Sequence, residues 1–151
     1  MMDSRWIYKC LMDDQRVRIL HLLREGPLSV SQLQLILVEG QVKISKQLAY
    51  MKRCGLLKSS KDGARIFYRL VDPIPPLLEA NLDGLQNLTQ FSSFFAADLK
   101  SRNELLQRLE SEGIQHRAPF EKKSLIRRTE EALQSPNETN ELDDHWGDFP
   151  L

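Results

Sequence analysis

Gln41-Val42-Lys43-Ile44-Ser45-Lys46-Gln47-Leu48-Ala49-Tyr50-Met51-Lys52-Arg53 is the stretch whose reading decides the fold. Ile44, Leu48 and Met51 recur at i, i+4 and i+7, the buried stripe of an amphipathic helix. Lys43, Lys46, Gln47 and Tyr50 supply the opposite stripe, a set of cations, an amide and a phenol suited to phosphates and base edges. Upstream, Ser29 and Gln32 have capping-box spacing, and Val30, Leu33, Ile36 and Leu37 give a preceding helix its inward side until Glu39-Gly40 breaks the pattern. Two helices joined by a short glycine-containing turn read as a helix-turn-helix.

Working outward, Leu56 to Ser60 and Ala64 to Leu70 flank Lys61-Asp62-Gly63, and Asp-Gly between β-prone runs signals a hairpin. Alternation in the second run sends Ile66, Tyr68 and Leu70 one way and Arg65, Phe67 and Arg69 the other. A basic hairpin that follows a helix-turn-helix is a wing, able to lie along a phosphate backbone. On the N-terminal side, Trp6, Ile7, Cys10 and Leu11 form one face of a short helix. Asp13 or Asp14 caps the next helix, which carries Val17, Ile19, Leu20, Leu22 and Leu23 and stops at Glu25-Gly26-Pro27.

The formal net charge of zero conceals a division. Residues 1–72 carry 13 Lys/Arg against 7 Asp/Glu, and residues 73–151 carry 8 against 14. Between Gln41 and Arg69 eight cations face a single acid, Asp62, the footprint of a polyanion-binding surface. A solvated face gives the same charge run, so spacing has to decide.

Pro73, Pro75 and Pro76 end the hairpin. From there to about Glu112, Leu78, Leu82, Leu85, Leu88, Phe91, Phe95, Leu99, Leu106 and Leu109 keep near-helical spacing, as one long helix or two separated near Thr89–Ser93. A single helix would reach about 55 Å, more than a small core can cover, so Leu78, Leu82, Leu85, Phe91, Phe95 and Leu99 are expected at a dimer interface. Residues 129–151 hold seven acids and no Lys or Arg, and they read as part of a largely disordered polar tail with one helical stretch between Phe120 and Leu133.

From Lys9 to Leu70 the chain resembles the ArsR-type winged-helix transcriptional regulators. Asp14-Gln15-Arg16-Val17-Arg18-Ile19-Leu20 is similar to the family's second helix, Ser45-Lys46-Gln47-Leu48 with Gly55-Leu56-Leu57 to its recognition helix, and Asp62-Gly63 through Tyr68-Arg69-Leu70 to its wing. The resemblance implies a homodimer that reads double-stranded DNA. It also marks departures. Ser29 and Ser31 stand where metal-sensing members carry a Cys-x-Cys pair, Gln47 stands where histidine is usual, and Pro76 to Glu112 contains no histidine. A hydroxyl does not replace a thiolate toward a soft metal, so no metal site and no cofactor is expected.

The expected fold is mainly α with a small β-hairpin (α+β): a winged helix-turn-helix over 1–72, a helical dimerisation extension over 73–113 and an acidic tail over 114–151. The expected DNA contacts are Gln41, Lys43, Ser45, Lys46, Gln47 and Tyr50, with Lys61 and Arg65 on the wing. The expected function is that of a sequence-specific DNA-binding regulator, a repressor acting on an imperfect palindrome. The alternative is a winged-helix module that docks on protein. Catalysis is not expected, because the chain has no glycine-rich phosphate loop, nucleophile motif or His/Cys/Asp cluster. Cys10, Cys54 and His21 read as packing residues. No apolar run is long enough to span a membrane, and the first residues lack the charged-then-apolar order of a signal peptide, so the cytoplasm is the expected compartment.

Overall fold

A computed structural model of the chain describes residues 3–114. The expected tail, with its helical stretch between Phe120 and Leu133, lies outside the described residues apart from Ile114. The elements are α1 (Ser4–Leu11), α2 (Asp14–Arg24), β1 (Leu28–Ser29), α3 (Val30–Leu37), α4 (Gln41–Arg53), β2 (Leu57–Asp62), β3 (Arg65–Leu70), α5 (Pro76–Gln86) and α6 (Thr89–Ser111).

Local chemistry sets the helix starts. Asp13, not Asp14, caps α2, its carboxylate accepting from Arg16 N at 3.0 Å. Ser29 Oγ accepts from Gln32 N at 3.2 Å while Gln32 Oε1 accepts from Ser29 N at 2.8 Å, which completes the capping box. Such caps contribute about 1 kcal/mol each by satisfying N–H groups that the helix itself leaves open.

The sheet is antiparallel with order β1-β3-β2. Its outer hairpin turns through Gly63-Ala64, since Asp62 pairs with Arg65. Gly63 has φ 60, and a Cβ there would meet nothing within 4 Å. Backbone conformation rather than space therefore calls for glycine. The two-residue strand β1 pairs with Phe67 and Tyr68. At the start of β3 the neighbours Phe67 and Ile66 differ, the first buried and the second 42% exposed. Where β1 flanks β3 the side chains lie against the body of the domain, whereas Arg65 and Ile66 project beyond the end of β1 into the open wing.

One core joins all the helices: Leu20, Leu22, Leu33, Ile44, Leu48, Met51, Leu56, Leu78 and Leu82 are fully buried. The chain beyond the sheet is two helices rather than one, broken at Asn87-Leu88, and α5 packs on α6 and α1 while α6 packs on α2 and α3. The uncovered stripe expected there is therefore largely covered by the chain itself. Leu78, Leu82 and Phe95 belong to this core and are not open to a second subunit, whereas Leu85, Phe91 and Leu99 are only partly buried.

Polar joints fix α5 and α6 against α2. Arg18 and Asp98 form a two-pronged ion pair with the carboxylate buried, and Arg24 pairs with Asp83 at 2.6 Å. The His21 ring stacks on Phe95 with centroids 3.8 Å apart.

Candidate nucleic-acid interface

The candidate interface is centred on α4. Ile44, Leu48 and Met51 anchor it in the core as their spacing predicts. The face directly opposite carries Val42, Lys46, Ala49 and Arg53 at i, i+4, i+7 and i+11, flanked by Lys43 and Ser45. Gln41, Lys43 and Lys46 are exposed and Ser45 is half-buried beside them.

Lys43 is engaged before any ligand arrives. Its Nζ lies 3.2 Å from Glu39 Oε2, one helical turn back. The N–H of Gly40 and the Lys43 ammonium hold the Glu39 carboxyl below its ordinary range. Glu39 thus stands just before the positive end of α4, where an anionic phosphate would also be favoured.

Gln47 and Tyr50 lie differently from the sequence expectation. Gln47 Nε2 donates to Asp13 Oδ1 at 3.2 Å, and its Oε1 accepts from Arg16 at 3.3 Å. The Arg16 guanidinium also lies 4.7 Å from the Tyr50 ring centroid, and burial raises the Tyr50 phenol above its ordinary range. On a helix of 3.6 residues per turn Gln47 is only about 60° from Ile44, so it turns towards α2 rather than outward. These two residues join α4 to the N-terminus of α2 and set the pose of the helix.

The wing begins beside α4: Lys52 Nζ donates to Ser59 Oγ at 2.7 Å, tying the last turn of α4 to β2. Lys61 and Arg65 are exposed near the hairpin tip. Behind α4, buried Cys54 at its C-cap neighbours buried Cys10 of α1. Interaction with the Cys54 thiol, and then burial, push the Cys10 thiol up, so it stays protonated at neutral pH and acts as a packing group. His21, also buried, has its pKa lowered by burial first and the nearby Arg24 second. Ser29 and Ser31, at the positions the resemblance matches to a thiolate pair, hydrogen-bond each other at 3.1 Å. Among the described residues no three His, Cys, Asp or Glu side chains gather as a metal set, and no helix is long and apolar enough to cross a membrane.

Val42, exposed on the same outward stripe, was not among the residues expected to contact DNA, because it is apolar. The signal was present in its i, i+4 relation to Lys46.

A helix-turn-helix with a cationic outer helix, followed by a wing, defines a winged-helix nucleic-acid-binding module. The model of the bacterial regulatory proteins of the arsR family matches residues 13–59. The chain is 38% identical over 85 residues to the arsenic resistance transcriptional regulator ArsR1 of Pseudomonas putida, covering 56% of this chain and 66% of that protein, just under two thirds. It is 32% identical over 93 residues to ArsR2 of the same organism, covering 61% of this chain and 78% of that one. Among solved structures, HlyU from Vibrio cholerae superposes with a TM-score of 0.50 at 28% identity, covering 57% of this chain and 90% of HlyU. The chain belongs to the arsR family of bacterial regulatory proteins.

Proposed function

We propose that the protein is a transcriptional repressor that binds an imperfect DNA palindrome as a homodimer, setting two copies of α4 into successive major grooves about 34 Å apart. The observation that carries this reading is the division of α4 into a buried stripe and an outward stripe holding Lys46, with the exposed wing cations Lys61 and Arg65 on the hairpin that follows. Lys43, Lys46, Lys61 and Arg65 supply phosphate attraction, and Gln41 and Ser45 stand at the start of α4 within reach of base edges. Gln47 and Tyr50 act through the pose of α4. Seated over a promoter, such a dimer excludes polymerase.

The second subunit docks on apolar edges the fold leaves open. These are Leu85, Phe91 and Leu99, with Leu88 at 54% exposure, and Tyr8 of α1 at 49% with its C-cap Met12 at 82%. The protein-docking alternative is less well supported, because its surface would have to pair with the cations of α4 and the wing.

The test is selection of binding sites from random duplex DNA by the full chain, with light scattering in parallel. A palindromic consensus and a mass of twice 17.5 kDa are expected. A 17.5 kDa monomer with no enriched sequence would overturn the proposal.

A further inference from the structure

Two valines stand open around the helix-turn-helix corner, Val38 at 88% exposure and Val42 at 69%. Neither serves the core, which takes Leu33, Ile36, Leu37, Ile44 and Leu48 from the same two helices. Val38 is the left-handed C-cap of α3, with φ 51, and among the described residues no other non-glycine has positive φ. Glycine or asparagine suits such a cap, and a Cβ there costs roughly 1–2 kcal/mol. A β-branched, apolar and solvent-facing residue at this position therefore gains nothing inside the chain. Strain of this kind, unrewarded by packing, is found at sites that meet a ligand.

Val42 sits in the first turn of α4, on the outward stripe with Lys46 and Ala49 and opposite Ile44, Leu48 and Met51. Between the polar side chains of Gln41 and Lys43, that turn thus presents two methyls outward. Base edges in the major groove offer one matching apolar group, the C5 methyl of thymine. From this geometry we infer that Val42, supported by Val38, reads thymine methyl groups in each half-site, so that part of the sequence selection is apolar. The occupant is duplex DNA because the valines are continuous with the cationic face of α4: Lys43 follows Val42 directly and Lys46 lies one turn on. The inference rests on the reading of α4 as the groove helix.

Replacing a thymine by deoxyuridine removes the C5 methyl and leaves every hydrogen-bonding group in place. Each thymine of the selected consensus is replaced in turn, and full-length protein is titrated against each duplex. At one or two positions per half-site the wild type should lose about fourfold in affinity, the factor given by about 0.8 kcal/mol for a buried methyl-sized group. Val42→Ala, which removes an exposed side chain and should keep its thermal midpoint, should bind the thymine and uracil duplexes equally. Lys46→Ala should weaken both and preserve their ratio. Equal affinity of the wild type for thymine and uracil at every position would overturn the inference and leave the DNA reading intact. Failure to select any sequence, with affinity insensitive to salt, would overturn both.

Discussion

Arg18 and Asp98 meet across the joint of α2 and α6, with guanidinium Nε 2.9 Å from Oδ2 and an NH2 group 2.7 Å from Oδ1. The carboxylate side chain is 3% exposed and the arginine 26%, and the guanidinium also lies 4.8 Å from the Phe94 ring centroid. The hydrogen bonds to Asp98 raise the Arg18 pKa, so the guanidinium keeps its charge. A buried pair resists loss of one partner far more than loss of both. Asp98→Ala should destabilise the fold by about 3 kcal/mol, the low end for an orphaned buried charge because Arg18 keeps some solvent. Arg18→Met with Asp98→Leu should recover most of that loss. Urea unfolding of the single and double variants measures both, and a loss below about 1 kcal/mol for Asp98→Ala would show that the joint does not depend on the pair.

Glu39 holds Lys43 in the free protein, so on the proposed reading a phosphate has to displace it. Removing its charge frees Lys43 and takes an anion away from the start of α4, where a phosphate is expected. Glu39→Gln should therefore raise affinity for all duplexes by a few-fold at low salt, with the gain shrinking as salt is added. Fluorescence anisotropy on operator and random DNA reads this. Unchanged affinity on both would place Lys43 away from the phosphate path.

Gln47 is tied to Asp13 and Arg16 and does not face outward. Gln47→Ala should weaken binding to the operator and to each of its single-base variants by the same factor, and should cost about 1 kcal/mol of stability for the lost hydrogen bonds. Relaxed preference at a single base pair would return Gln47 to the reading face.

His21 links stability to pH. Its ring is stacked on Phe95, Gln86 Nε2 lies 3.1 Å from its Nε2, and its Nδ1 is buried without a hydrogen-bond partner among the described residues. Arg24, Glu25, Asp83 and Asp98 are the charged groups around it. Its folded pKa lies below the ordinary 6.5, chiefly through burial, so the neutral ring supports the fold above 6.5 and that support is lost as pH falls through the folded value. Between about pH 7.5 and about pH 5 the urea midpoint of the wild type should fall more than that of His21→Gln. Parallel falls would mean that carboxylates elsewhere carry the acid sensitivity.

Much of the fold was legible because its signals are short-range. The capping box at Ser29, the Ile44/Leu48/Met51 stripe and the Asp62-Gly63 turn are each encoded within about one or two helical turns of sequence. What was not legible depends on contacts far apart in the chain. Arg18 and Asp98 are 80 residues apart, and nothing in either neighbourhood announces the other. The fold-back of α6 turns at Asn87-Leu88, without proline or glycine, so its apolar residues read as an exposed seam when many of them pack on α2 and α3. Strand β1 is only two residues long, too short to show periodicity, so the sequence does not say which part of β3 is covered. In the candidate site the exposure of Lys43, Lys46, Lys61 and Arg65 is legible from charge and period. Gln47 lies about 60° round the helix from Ile44, and its partners Asp13 and Arg16 come from the start of α2, more than 30 residues earlier, which no local pattern shows.

The salt dependence of operator binding, compared between the wild type and Lys46→Ala, bears most directly on the claim that α4 carries DNA binding. Phosphate contacts release counterions, so the logarithm of the wild-type affinity should fall steeply and linearly with the logarithm of salt concentration. For a dimer, Lys46→Ala should reduce the slope by about two units, roughly one per lost phosphate contact, with little change in stability because Lys46 is exposed. A wild-type affinity that barely responds to salt, or a Lys46→Ala slope and affinity equal to wild type, would contradict it.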